Sequence, residues 1–482
     1  MVSDRTLLNQ TSLGWLLLIA LVVLGAGLGL RDPWPADEPR FALIAREMVE
    51  SGQWLFPMRG GELYPDKPPL FMWGIAIGYV LTGSIKVAFL LPSLLAGLLT
   101  LVLVWDLGRR LWDPATGFLA GLLLLFTVQF TLQAKTAQID GLVTFFITLG
   151  LYGFLRFLLC GGGWRWYWLG WFAAGLGVIT KGVGVLALLV LLPALWTHRA
   201  QIRAAPLSAW LKALLGPLAM ALAMGLWLVP MLEAVTRSGD PLLLAYRDNI
   251  LLRQTVTRYT SAWHHVKPFW YYLTSVIPPF WLPLSLLLPW LVVALVLAFS
   301  DRVASRLGEL GPDPWLPLLV LGGSLLLINA WLRRAPLTAI LCSLAVGWLI
   351  YSCWISVRLN EVRTPQGVMA LAAQRVPAGD ELLLAGFKEQ HLLFSLRPVK
   401  HYPYLMGDGE QAREAAAWIG AAPGRWVLGS ADLMVRCFDP AKMENLGNRH
   451  RTDWLLAGPQ ALKSACRGLF PSMVPFSYTP SS

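Results

Sequence analysis

Charge is what this chain has least of. Of its 482 residues only 14% are Asp, Glu, Lys or Arg, where a soluble globular protein carries about 25%. With 56% hydrophobic residues, that deficit excludes an ordinary soluble enzyme and a disordered chain. The apolar runs also lack alternation with polar residues, which excludes a porin-type barrel, and no fixed-period repeat is present. Cysteine is scarce. Cys160, Cys342, Cys353, Cys437 and Cys466 form no CxxC and no metal-ligand spacing, so no metal is assigned. Cys437 and Cys466 share the C-terminal region and can pair if it is extracytoplasmic. No small-x-small cleavage site follows the first apolar run, Leu16 to Leu30, which therefore reads as an uncleaved span rather than a signal peptide.

What the chain does have is continuous apolar sequence, in runs approaching the roughly 20 residues that cross a bilayer. The expectation is an α-helical multi-spanning membrane protein of about 10–11 spans. They fall near 16–30, 87–104, 116–133, 141–159, 166–180, 183–197, 213–231, 315–332 and 335–355, with one or two more in 268–300, where Pro278, Pro279, Pro283 and Pro289 interrupt. The net charge of +11 fits arginines at cytoplasmic helix ends better than a nucleic-acid groove, because the aromatics lie in the spans. Arg109, Arg110, Arg165 and the group His198, Arg199, Arg203 and Lys212 mark those ends. Residues 31–86 then form a first loop on the opposite side, with the loops near 134–140, 180–184 and 232–267 beside it.

Within that loop Arg40 to Glu50 places Phe41, Ile44, Ala45 and Met48 on one face, the pattern of an amphipathic helix on the membrane surface. Residues 69–82 are apolar but too short to cross. From about 356 the composition turns mixed. Short buried strands at 382–384, 426–428 and 454–456 and a helix at 411–419 predict a small soluble α/β domain. The expected division is 1–355 membrane domain and 356–482 soluble α/β domain, on the outer side.

The chemistry-bearing side chains gather in the outer loops. Asp37 and Glu38 follow Pro35, where a general base could meet a substrate at the membrane surface. The same pair also suits a helix N-terminus, with Asp37 as N-cap and Glu38 favoured by the dipole. In Tyr64-Pro-Asp66-Lys67-Pro-Pro69 the prolines present Lys67 at a fixed point, as a partner for a lipid phosphate or as a snorkelling cation. Asp140 opens a span, as an acid or an N-cap. Lys181, in Thr-Lys-Gly-Val-Gly, lies on the same side but lacks the Walker spacing. The loop 232–267 carries Asn249, Arg253, Arg258, His264, His265 and Lys267 ahead of an aromatic belt, Pro268-Phe-Trp-Tyr-Tyr272.

Taken in order, ALIAREMVESGQWLFP, GELYPDKPPLFMW, TKG, NILLR and HHVKPFWYYL resemble the bacterial branch of the protein O-mannosyltransferase family. That branch includes the lipid A aminoarabinose transferases of the glycosyltransferase C superfamily. The likeness covers about residues 10–290. It implies a multi-pass protein of the bacterial inner membrane with a periplasmic active site. It implies a polyprenyl-phosphate sugar donor, inverting transfer, and an acceptor that is lipid A, a glycan or a protein. By position it implies Asp37 as base with Glu38 beside it and Asp140 as a second acid. Lys67, Lys181, Arg253 and Tyr64 would lie at the donor phosphate, with Asp66, Arg258 and His265 as accessory residues. No cofactor is implied, although a divalent cation has room in such chemistry. One departure is visible: after Pro289–Trp290 only a short loop, two spans and the soluble domain follow, with no Lys-Leu-Pro-x-Tyr segment. Two other readings remain at this stage, a lipid-linked sugar transporter or binding protein and an inactive membrane scaffold. A transporter should carry ionisable groups mid-span, whereas here they cluster in loops.

Overall fold

The computed structural model describes residues 12–252, 268, 270–271, 315–449 and 452–480. Arg253, Arg258 and His265, with His264, Lys267 and most of the proline-broken stretch, lie outside the described residues. The chain divides into two compact units, one of residues 1–30 and 65–356, the other of residues 31–64 and 357–482.

The first unit is helical. Among the described residues four helices are long and apolar enough to cross a membrane: Ile85–Leu111, Ile139–Leu159, Leu207–Ser238 and Pro336–Arg363. Pro114–Leu125 and Val128–Ala134 form a pair bent by 71°, a broken span or a re-entrant loop. Leu13–Gly25, Leu70–Thr82 and Val183–Thr197 are shorter apolar helices. The expected segment 183–197 is a 3-10 run to Val190 followed by a short α-helix. It is separated from Trp164–Lys181 by Gly182, whose φ of 70° turns the chain.

Trp164–Lys181 packs against both Ile139–Leu159 and Leu207–Ser238. A Cβ at Gly153 would sit 2.6 Å from the Trp166 carbonyl oxygen, so the small residue permits the close backbone approach common between membrane helices. The opposite face of Leu207–Ser238 exposes Leu211, Leu214, Leu218, Leu222, Leu226 and Val229. In water that stripe would be costly; against acyl chains it is the expected surface. Near one end of the helices, Asp106 accepts hydrogen bonds from Arg109, Arg110, Arg156 and the Tyr152 hydroxyl. Arg109 and Arg110 are among the residues that the sequence assigns to the cytoplasmic side.

The second unit is built on a six-stranded sheet. Two short strands come first, β1 (Met58–Arg59) and β2 (Glu62–Leu63), paired as a separate hairpin. Gly60 and Gly61, at φ 65° and 84°, supply the two positive-φ positions of its turn. The main sheet holds β3 (Glu381–Ala385), β4 (Val399–His401), β5 (Arg425–Ser430), β6 (Glu444–Arg449), β7 (Thr452–Ala457) and β8 (Phe476–Tyr478), in the order β6-β7-β5-β3-β4-β8. β3 runs parallel to β4 and β5, and the outer strands are antiparallel. Helix Asp408–Gly420 packs on β3 and β5, burying Ala415, Trp418 and Ile419 with Leu383, Val427 and Phe438. Cys437 and Cys466 are joined in a disulfide, Cα atoms 5.6 Å apart.

The segment 31–64, placed by sequence with the membrane domain, belongs to this α/β unit. Its helix, Glu38–Ser51, is nearly continuously buried from Glu38 to Met48. The apolar face is where the periodicity predicts it, but the polar face is covered as well, because the charges find partners within the unit. Arg46 donates to the Leu393 carbonyl and to the Tyr478 hydroxyl. Asp32 is bound through its backbone and side chain by Asn360. Gly60 fits against Leu392 and His401, whose side chains leave no room for a Cβ there. The His401 ring faces the carbonyl oxygens of Gly60 and Tyr402 at 2.7 and 2.9 Å. Burial nevertheless holds its pKa below the ordinary histidine value.

Candidate active site

The two adjacent carboxylates, Asp37 and Glu38, have different surroundings. Glu38 is buried and takes a bidentate ion pair from Arg31, at 2.6 and 2.7 Å. It also accepts from the Trp34 backbone N–H at 2.8 Å. These contacts tie the loop 31–37 onto the helix start. Asp37 sits at the N-cap position, but its side chain makes no capping hydrogen bond. Its carboxylate is about half exposed and meets Arg40 Nη1 at 3.3 Å. A carboxylate held at one edge and open at the other can accept a proton from an incoming hydroxyl.

Arg40 is itself anchored. Its Nε donates to Glu389 Oε1 at 2.6 Å, and Glu389 is almost fully buried. Burial works against the Arg40 charge, yet the Glu389 carboxylate outweighs it and holds the pKa above the ordinary guanidinium value. Arg59 Nη1 lies 3.6 Å from the same Glu389 oxygen and stacks on Tyr404, 4.0 Å from the ring centroid. Tyr64 is 2% exposed and lies under both guanidinium groups, 5.9 Å from Arg40 and 5.6 Å from Arg59. Its ring serves as a packing plate for two cations.

The other expected residues belong to the helical unit. Asp140 stands in the first turn of Ile139–Leu159 and Lys181 ends Trp164–Lys181. The fold brings them together as an ion pair, with side chains 49% and 31% exposed. Such a pair is worth about 1 kcal/mol or less, so an arriving phosphate can compete for the lysine. Lys67 Nζ lies 3.2 Å from the Asp66 carbonyl oxygen, just ahead of helix Leu70–Thr82. Lys135 follows helix Val128–Ala134, a few residues before the helix that carries Asp140. It is buried and donates to the carbonyl oxygens of Val23, Leu24 and Ala26, closing the C-terminus of Leu13–Gly25. Among the described residues no group of three His, Cys, Asp or Glu side chains converges as a metal site.

Sequence reasoning missed Arg31, Arg59 and Glu389. Arg40 and Glu389 are 349 positions apart, and no local pattern marks either as the other's partner.

A multi-spanning helical membrane domain and a small strand-rich α/β domain define the class: an integral-membrane protein of two units. The model of the dolichyl-phosphate-mannose-protein mannosyltransferase family matches residues 66–227. The chain is 31% identical over 290 residues to undecaprenyl phosphate-alpha-4-amino-4-deoxy-L-arabinose arabinosyl transferase 1 of Pseudomonas fluorescens, a match covering 57% of this chain and 50% of that protein. It is 32% identical over 266 residues to the corresponding transferase of Pseudomonas aeruginosa, covering 53% and 45%. The chain thus spans about half the length of the curated relatives it matches. The crystal structure of ArnT from Cupriavidus metallidurans bound to undecaprenyl phosphate superposes with a TM-score of 0.69 at 18% identity, over 95% of this chain and 99% of that one. Over about half their length the chain is similar to undecaprenyl-phosphate aminoarabinose transferases, and it shares the fold of the Cupriavidus structure.

Proposed function

We propose that the protein transfers a sugar from a polyprenyl-phosphate donor to a membrane-associated acceptor at the periplasmic face of the bacterial inner membrane, with inversion at the anomeric carbon. The observation that carries the reading is the contrast between the two loop carboxylates, Glu38 consumed by Arg31 and Asp37 left open beside Arg40. Asp37 takes the proton of the acceptor hydroxyl as it attacks the anomeric carbon, and the bond from that carbon to the phosphate oxygen breaks. Lys67, Lys181 and Arg253 neutralise the charge gathering on the departing polyprenyl phosphate, an electrostatic contribution that is often the largest in catalysis. Phosphate leaves readily, so the second acid, Asp140, is not needed as a covalent nucleophile; it holds Lys181 until the donor arrives. The disulfide in the α/β unit supports an oxidising, periplasmic setting. The acceptor is lipid A, with a surface glycan or a protein hydroxyl as the other candidates.

The test combines gene deletion with mass spectrometry of lipid A and surface glycans, and a screen of the purified full chain. The screened donors are undecaprenyl-phosphate-linked 4-amino-4-deoxy-arabinose, mannose and glucose. One missing sugar in the deletion strain and transfer from the matching donor is the expected result. Asp37→Asn should insert normally and lose at least 100-fold in rate, in line with the roughly 10²–10⁴ contributed by a general base. No missing sugar and no transfer from any donor would overturn the reading; unchanged transfer by Asp37→Asn would remove that residue from it.

A further inference from the structure

Glu389 lies in the same compact unit as Asp37. Residues 31–64 and 357–482 form one compact unit, so the loop that carries Asp37 is folded onto the C-terminal domain. The contact is ionic and ordered. Glu389, 3% exposed, receives Arg40 Nε at 2.6 Å and lies 3.6 Å from Arg59 Nη1. The guanidinium is rigid and planar. Once its Nε edge is fixed by a buried carboxylate, the direction of its Nη1 group is fixed too. That group is the one 3.3 Å from Asp37 Oδ1, and Asp37 has no capping hydrogen bond to hold it otherwise.

We propose that Glu389 of the C-terminal domain is a positioning residue for sugar transfer, anchoring Arg40 so that its guanidinium orients the Asp37 carboxylate toward the acceptor. The inference rests on the reading of Asp37 as the base. It gives the α/β domain a place in the chemistry: a relay of carboxylate, guanidinium and carboxylate runs from the domain core to the reacting proton. A base misplaced by about 1 Å loses on the order of 100-fold in rate without losing substrate, so the relay acts on kcat.

The experiment uses the full chain and the undecaprenyl-phosphate sugar that the parent transfers in the screen above. Glu389→Gln is expected to lower kcat 10- to 100-fold while the donor KM stays within twofold. Glu389→Asp, which keeps the charge, is expected to recover part of the loss. Removing Glu389 alone takes the nearest carboxylate from Arg40 and one of two from the buried Arg59, and that variant can fail to fold. Arg40→Gln and the double variant Arg40→Gln/Glu389→Gln are therefore compared: a relay through Arg40 makes their kcat values equal within twofold, because effects along one chain of contacts do not add. Glu414→Gln is the structural control. This carboxylate of the same domain accepts from the Ser472 backbone N–H and hydroxyl, and its loss should lower thermal stability with kcat unchanged. The proposal is overturned if Glu389→Gln keeps kcat within twofold, if its loss appears in donor KM, or if the two losses multiply in the double variant. Full transfer by Asp37→Asn would overturn the base reading instead. Loss in Asp37→Asn with intact transfer by Glu389→Gln would sink the relay alone.

Discussion

Glu47 offers a test of how the segment 31–64 is held in its unit. It lies in helix Glu38–Ser51, is 9% exposed, and accepts the Gly60 backbone N–H at 2.7 Å. Burial pushes its pKa up to about 8, against the opposing pull of the Gly60 and Gly61 amides and Arg46. In the unfolded chain the same group titrates near 4.5. Between those values the folded unit keeps a proton that the unfolded chain has released. Stability from this group is therefore complete below about pH 4.5, falls as pH rises, and is gone above about pH 8. At 1.36 kcal/mol per pKa unit the ceiling is about 5 kcal/mol. Glu47→Gln has the shape of the neutral acid at every pH, so its stability should lack this decline. The assay is hydrogen exchange of peptides covering residues 38–64 in the full chain from pH 4.5 to 9, corrected for intrinsic exchange. Protection in the parent should decline relative to the variant. Parallel profiles, or a parent that gains protection with rising pH, would refute the assignment of a buried, proton-holding Glu47.

Other consequences can be checked with purified variants. Lys67→Ala should raise the donor KM about tenfold and leave the acceptor KM nearly unchanged; equal donor affinity in steady-state kinetics would deny it a phosphate role. Arg31→Met strands the buried Glu38 carboxylate, and breaking a buried pair costs about 3–5 kcal/mol, to be read as a lower unfolding temperature. Replacing Cys437 and Cys466 by serine opens a loop with a sequence separation of 29. On chain-entropy grounds that should cost the α/β unit about 3–4 kcal/mol, measured by denaturant unfolding with and without reductant.

Much of the architecture was legible in order. Apolar runs of membrane length appear as helices at Ile85–Leu111, Ile139–Leu159 and Leu207–Ser238. The short strands 382–384, 426–428 and 454–456 are the cores of β3, β5 and β7. The pairing open to Cys437 and Cys466 is present as a disulfide. Where the reading stopped short, a tertiary partner was responsible. The helix expected over Arg40 to Glu50 looked interfacial because its charges lay on one side; Glu389, Tyr478 and the Leu393 carbonyl cover those charges and bury it. The buried setting of Glu38 was not legible, because it depends on Arg31, bent back across seven positions, and on the Trp34 backbone N–H.

Hydropathy and alternation are properties of neighbours along the chain, and from them the sequence alone determined that this protein crosses a membrane, carries an α/β domain at its C-terminal end, and presents acids and lysines in loops between spans. The pairing of Asp140 with Lys181, the enrolment of residues 31–64 in the C-terminal unit, and the sorting of two adjacent carboxylates into a buried counter-ion and a half-exposed neighbour were decided by the tertiary structure. Each depends on which guanidinium or ammonium group the fold carries to within about 3 Å of a carboxylate, and charges that meet across tens or hundreds of positions leave no local pattern to read.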